Sequence, residues 1–265
     1  MDGLTGHNRR MRIFALSDIH ADYQPNMAWV HQLSRGEYVD DLLILAGDVS
    51  HKRELLDECL TALAQRFRQV LFVPGNHDLW VIGQTPAIDS LEKFEQVRHT
   101  AIQCGATMDI VRHGQLLVVP LLGWYDYSFG EPGRELLRGW TDYRACRWPT
   151  GFQMEDVAAY FEKLNVVPSA DSARMRITVS HFLPRIDLIP SFVSARHRIL
   201  DPVLGTTRLE KQLRQLDPSI HVYGHSHINQ SVELEGVRYV NNAFGTPQET
   251  RITAKQLVCI EEAWF

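Results

Sequence analysis

The chain of 265 residues has only four cysteines, and no two of them form a C-x-x-C pair. Cys59, Cys104, Cys146 and Cys259 are spread along the chain, so neither a zinc ribbon nor a disulfide framework is indicated. A chain of this length buries enough apolar surface to fold without such a staple, and free thiols point to a reducing cytoplasm. No apolar run approaches the roughly 20 residues that cross a bilayer, and residues 1–10 are polar, without the apolar stretch of a secretory signal. No membrane association is therefore expected, and the chain is placed in the cytoplasm. Basic excess is missing too: 27 Lys and Arg stand against 32 Asp and Glu, a formal net charge of −5. Nonspecific nucleic-acid binders carry a basic face, so nucleic acid is not the expected partner. A small anionic substrate survives this count, because bound cations add positive charge that the sequence does not carry. Internal repeats, low-complexity tracts and linkers are also absent.

What is present is a set of short apolar runs. Residues 42–46 and 70–73 are continuous, residues 11–16 are interrupted only by Arg12, and polar or turn residues close each run, as in strands buried on both faces. Helix-compatible segments at 26–33 and 53–67 separate them. A β-α-β-α-β start predicts an α/β fold with parallel strands. Further helices are predicted at 90–99, 152–164 and 207–216, and strands at 115–122, 177–179, 220–223, 237–240 and 256–260. Residues 123–151 break this pattern. Trp124, Tyr125, Tyr127, Phe129, Trp140, Tyr143 and Trp148 stand there among Gly, Pro and Arg. The stretch reads as a long irregular insertion in one domain spanning 1–265, and its aromatic content argues against disorder.

Residues with metal-binding chemistry follow five of the predicted strands: Asp18 and His20, then Asp48, then Asn76 and His77, then His181, then His225 and His227. Singly, each has an ordinary explanation. A D-x-H is usually an incidental turn, Gly47-Asp48 is common turn chemistry, and a lone His181 is unremarkable. In open α/β sheets, however, ligand sites form beyond the carboxyl ends of the strands. Five strand ends each delivering Asp, Asn or His are hard to ascribe to packing. Paired histidines suit borderline metals, and spacing alone would put His225 and His227 on the same ion.

In this order the motifs resemble the calcineurin-like metallophosphoesterase superfamily: D-x-H at 18–20, G-D at 47–48, G-N-H-[DE] at 75–78, a single His at 181 and G-H-x-H at 224–227. The resemblance implies a four-layer αββα sandwich, two mixed sheets flanked by helices. It implies that Asp18, His20 and His227 hold one divalent metal ion and Asn76, His181 and His225 a second, with Asp48 bridging the two. His77, with Asn76, would contact the phosphate, and His77 would protonate the leaving group, which makes His77 and Asp48 the catalytic residues. Nitrogen and oxygen donors without thiolate fit Mn, Fe, Zn or Ni. Such a pair of ions would activate water for in-line attack on a phosphorus centre. The implied function is hydrolysis of a small phosphomonoester or phosphodiester. The alternative is a nucleotide or nucleic-acid phosphodiesterase, and a third reading is a non-catalytic scaffold, disfavoured because every motif residue is present.

The protein Ser/Thr phosphatases extend the second motif to G-D-x-x-D-R-G. Here Val49, Ser50, His51 and Lys52 follow Asp48, so that branch is not indicated. Arg185, Arg144 and Trp124 are expected substrate contacts. Their competing readings are solvated arginines and an aromatic lid that closes the side of the sandwich.

Overall fold

The computed structural model describes residues 10–168 and 172–264; of the polar segment 1–10, all but Arg10 lies outside them. Two strands show how the layers arise. In β1 (Arg10–Leu16), Met11, Ile13 and Ala15 join one apolar cluster, and Phe14 and Leu16 join another. In β2 (Leu42–Leu45), Leu42 and Ile44 belong to the first cluster, and Leu43 and Leu45 to the second. Side chains alternate along a strand, so a run with no polar residue needs apolar partners on both faces. The first cluster lies between two sheets, where Ile44 and Leu71 are grouped with Val118, Ile177 and Val222. The second joins the outer faces to helices.

In the first sheet, β1, β2, β3 (Gln69–Phe72) and β4 (Ala106–Thr107) run parallel, and β11 (Val258–Trp264) pairs antiparallel with β1. The second sheet has β5 (Val111–His113), β6 (Leu116–Pro120), β7 (Met175–Val179), β8 (Ile220–Tyr223), β10 (Val237–Asn241) and β9 (Gln230–Leu234) in that order. Its four inner strands are parallel and its two edge strands antiparallel. Helices α1 (Gln24–Gln32), α2 (Arg53–Ala64) and α3 (Ser90–Gln103) cover the first sheet, and α6 (Met154–Leu164) and α8 (Thr207–Leu216) the second. The result is the four-layer α/β/β/α sandwich with two mixed sheets.

The elements predicted from periodicity are present, with ends shifted by a few residues. Three strands escaped prediction: β4 and β5, of two and three residues, and the edge strand β9. The irregular reading of 123–151 needs correction, since that stretch carries α4 (Arg134–Gly139) and α5 (Asp142–Ala145). A further short helix, α7 (Asp201–Leu204), precedes α8. No helix among the described residues is long and apolar enough to cross a membrane, and all four cysteines are free.

The parallel strands of both sheets end at the same edge, and the chain after β10 ties the sheets together there. Ser17 donates its N–H to the Asn242 carbonyl (3.0 Å), Phe244 to the Ser17 carbonyl and Gly245 to the Asp18 carbonyl (both 2.8 Å), while the Asn242 side-chain amide donates to the Ala15 carbonyl (2.8 Å). Asn242 is therefore a seam between the sheets.

Candidate metal centre

Three strands that reach this edge, β1, β2 and β8, turn sharply just beyond it. Asp18, His20, Asp48, His225 and His227 all have φ between 47° and 65°, and they are five of the eight non-glycine residues with positive φ among those described. Side chains with a Cβ avoid this region, and such strain persists only where surrounding structure holds it, commonly at functional sites. The glycines beside them are required by close approach. A Cβ on Gly75 would collide with Asp48 Oδ1 and the His181 ring, and one on Gly47 with the same imidazole.

The turned side chains form two groups that share one residue. Ligand atoms of Asp18, His20, Asp48 and His227 all lie within 4.8 Å of one another, as do those of Asp48, His181 and His225. In the first group His227 Nε2 lies 3.1 Å from Asp18 Oδ1 and 3.1 Å from His20 Nε2. In the second, His181 Nε2 lies 3.1 Å from His225 Nδ1, 3.1 Å from Asn76 Oδ1 and 3.5 Å from Asp48 Oδ1. His225 and His227 thus fall into different groups, contrary to what spacing alone suggests. Residues two apart face the same way only in extended chain, and both of these histidines are left-handed.

The outward nitrogens explain how the inward ones are prepared. His181 Nδ1 faces the Ala46 carbonyl at 2.8 Å, His225 Nε2 the Val203 carbonyl at 3.1 Å, and His227 Nδ1 the Glu249 carboxylate at 2.9 Å. Each oxygen can only accept, so the ring proton sits outward, and in His181 and His225 the inner nitrogen keeps a lone pair. In the second group the lone pairs of His181 and His225 then converge with the Asn76 carbonyl oxygen with no proton between them, an arrangement a cation resolves. Electrostatics agree. Burial pushes the Asp48 carboxyl up, reinforced by Asp18 and Asp78. Burial lowers His181 and His225, and takes His20 down to about 4. Only His227 is raised, to about 10, because Asp18 and Glu249 outweigh its burial. Carboxylates with the neutral imidazoles of His20, His181 and His225 suit divalent cations, and at His227 a cation beside Asp18 would replace the proton that the two carboxylates hold there.

Three supporting residues escaped sequence reading. Asp78 accepts backbone N–H groups from Asp48, Val49, Ser50 and Gly75, at 2.8–2.9 Å, and so locks the second and third motif loops together. Glu249 orients His227. Asp142, from the 123–151 insertion, is buried and accepts from Asn76 Nδ2 (2.9 Å), Trp80 Nε1 (2.7 Å) and Trp140 Nε1 (2.8 Å). The first of these bonds fixes which face of the Asn76 amide meets His181. Asp78 could have been found as the acidic fourth residue of its motif; Asp142 and Glu249 had no local signal.

His77 stands at the mouth, its side chain 33% exposed, with Nε2 3.9 Å from Asp48 Oδ2 and its ring stacked on Trp80 at 3.7 Å between centroids. Its backbone N–H donates to Asp48 Oδ1 (2.9 Å). The remaining expected substrate contacts lie apart from this cluster. Trp124 is fully buried, with its ring against Trp148, Tyr125 and Phe182. Arg185 is held by Asp187, Glu235 and Glu210. Arg144 is exposed, on a surface cleft beside residues 81–88. Of the two readings of the aromatic stretch, a packed lid describes Trp124 and Tyr125. The Trp140 and His225 rings also meet edge to face, with 5.9 Å between centroids.

A cation-ready cluster at the strand ends of this sandwich defines a metallophosphoesterase. A family model for calcineurin-like phosphoesterases matches residues 11–229, and the chain belongs to that family, a hydrolase of phosphoric esters with a metal-binding cluster of Asp and His. It is similar to the acyl-carrier-protein phosphodiesterase PptH of Mycobacterium tuberculosis, 26% identical over 267 residues that cover 90% of this chain and 79% of that one. It shares its fold with the crystal structure of phosphopantetheinyl hydrolase (PptH) from the same organism, with a TM-score of 0.73 at 24% identity over 91% of this chain and 92% of that one.

Proposed function

We propose that this chain is a phosphodiesterase working with two divalent cations, and that its substrate joins a phosphopantetheinyl arm to a carrier protein. The observation that carries the two-cation reading is Asp48, a member of both ligand groups. Asp18, His20, Asp48 and His227 would hold one cation, and Asp48, Asn76, His181 and His225 the other. Bound there, the cations would polarise the phosphoryl group and lower the pKa of water. Two dications against the carboxylates of Asp18 and Asp48 leave a net positive site for an anionic diester. His77 would meet the phosphate at the mouth with buried Asn76 behind it, and would give its proton to the departing alkoxide while Trp80 stacks on its ring. The choice of a diester with this arm is supported by the Mycobacterium tuberculosis relative. It enlarges the small substrate expected from sequence, since a carrier protein would remain outside while its linkage enters. Manganese is the cation we would test first, and four free cysteines support a cytoplasmic setting.

The test compares bis(p-nitrophenyl) phosphate, p-nitrophenyl phosphate and pantetheine p-nitrophenyl phosphodiester, with the protein stripped by chelator and reloaded with Mn. Turnover should require the metal, and both diesters should outpace the monoester. Faster monoester hydrolysis, or full turnover after stripping, would overturn the reading.

A further inference from the structure

We infer that a groove beside the metal centre takes the non-reacting arm of the substrate, and that this arm is long, flexible and uncharged. The inference rests on the phosphodiesterase reading above and names what that site selects.

The histidines of the cluster end at His227, whose Nδ1 faces Glu249. Glu249 and Ser226, the residue between the two histidines of the last motif, also line a cleft of about 550 Å³. On its other side the cleft shares a wall with the centre, since the Val203 carbonyl meets His225 Nε2 and Leu204 lines the cleft. Groove and metal cluster are therefore neighbours, separated only by the Val203–Leu204 backbone and the Glu249 side chain, so the groove lies beside a phosphate at the cations and near one of its two ester arms. The volume falls in the range of roughly 300–1,000 Å³ typical of small-ligand sites.

The lining states the chemistry. Ile189, Val193 and Ile228 form apolar walls, with Phe192 and Ile252 at the rim. Phe192 is 75% exposed and Ile252 39%, so large apolar groups face solvent beside a polar site. No Lys or Arg lines the groove; its two carboxylates are Asp201, paired with Arg198, and Glu249, paired with His227, and its one imidazole is His197, bonded to Ser194. An arm with further negative charge, such as a nucleic-acid backbone, would find no Lys or Arg along the groove, and Arg198 and His227 beside it are already paired with its carboxylates. Amide N–H and hydroxyl donors on a mainly apolar chain would find acceptors in Ser194, Ser226 and the carboxylates.

Three p-nitrophenyl phosphodiesters test this on the Mn-loaded protein: one with a methyl arm, one with thymidylyl-(5′→3′)-thymidine attached through its free 5′ oxygen, and one with pantetheine. All share the reacting phosphate and leaving group, and only the dinucleotide arm adds a negative charge. KM should be lowest for pantetheine. Phe192→Ala and Ile252→Glu, both at exposed positions outside the metal cluster, should raise KM for the pantetheine diester roughly tenfold, the size expected when one large apolar contact is lost. They should leave methyl-diester kinetics unchanged. Equal shifts for the methyl and pantetheine diesters, no shift at all, or a preference for the dinucleotide arm would overturn the inference while leaving the phosphodiesterase reading standing. Failure of the metal-loaded wild type to hydrolyse any of the three would overturn both.

Discussion

Replacing Asp142 by Asn would test whether the 123–151 insertion belongs to the metal centre or only covers it. The carboxylate accepts three N–H groups: Asn76 Nδ2 and Trp80 Nε1 on Oδ1, and Trp140 Nε1 on Oδ2. An Asn side chain has one acceptor oxygen. Whichever way its amide faces, an NH2 group is turned against at least one buried N–H, and the remaining bonds lose their charged acceptor. Bonds to charged groups contribute roughly 1.5–3 kcal/mol each, and an unpaired buried donor costs about 1–3 kcal/mol. Part of the bonding survives, so the expected destabilisation is about 2–4 kcal/mol. For a chain of this size that corresponds to a fall of roughly 5–15 °C in Tm. The same change frees the Asn76 amide to rotate its Oδ1 away from His181. Loss of a supporting partner typically weakens metal binding by roughly 10–100-fold, and here it should weaken one cation and spare the other. Titration calorimetry of the stripped protein with Mn, beside urea unfolding, reads both effects. Two wild-type sites in a folded Asp142→Asn variant would refute the reasoning, and so would equal weakening of both sites. Trp140→Phe removes one donor but leaves Asn76 held, so it should cost about 1–2 kcal/mol without changing metal affinity.

Asp48→Asn should lower the content of both metals, because the shared carboxylate becomes a neutral amide, and wild-type metal content by elemental analysis would contradict the shared role. His77→Ala should keep its metals yet lose on the order of a hundredfold in rate with an alkyl leaving group. The loss should be much smaller with p-nitrophenolate, and equal losses on both substrates would reduce His77 to holding the phosphate. Replacing residues 130–147 by a short Gly-Ser linker should both lower Tm and weaken one cation, since Trp140, Asp142 and Tyr143 leave together. A folded variant with two tight sites and an unchanged substrate ranking would show that the insertion is dispensable.

Much of the fold was legible because fully apolar four-residue runs have only one comfortable place, between two apolar layers. Leu42–Leu45 and residues 70–73 are of this kind. The strands that were missed lack that signal. β4 and β5 are too short to show a period, and β9 alternates exposed with half-buried residues at an edge. The Glu235-Gly236 turn that closes its hairpin, with φ of 49° and 81°, was the available clue. In 123–151, α4 and α5 hold six and four residues, less than two turns each, so no helical period could emerge from the ring-rich sequence.

For the site the division is physical. The sequence by itself determined the inventory of donors and their places just beyond strand ends, because donor chemistry is a property of residue type and a buried strand announces its own end. Only the tertiary structure decided the grouping. His225 and His227 part company because both are forced into left-handed turns. Asp48 sits in both groups because β2 runs between β1 and β3 in the first sheet. Arg185, free on paper, is held by three carboxylates, two of them 25 and 50 residues away. Asp142 reaches Asn76 across 66 residues and Glu249 reaches His227 across 22. A hydrogen bond between distant segments leaves no local pattern in the chain, so these partners exist only once the two sheets have packed and their strand ends meet at one edge.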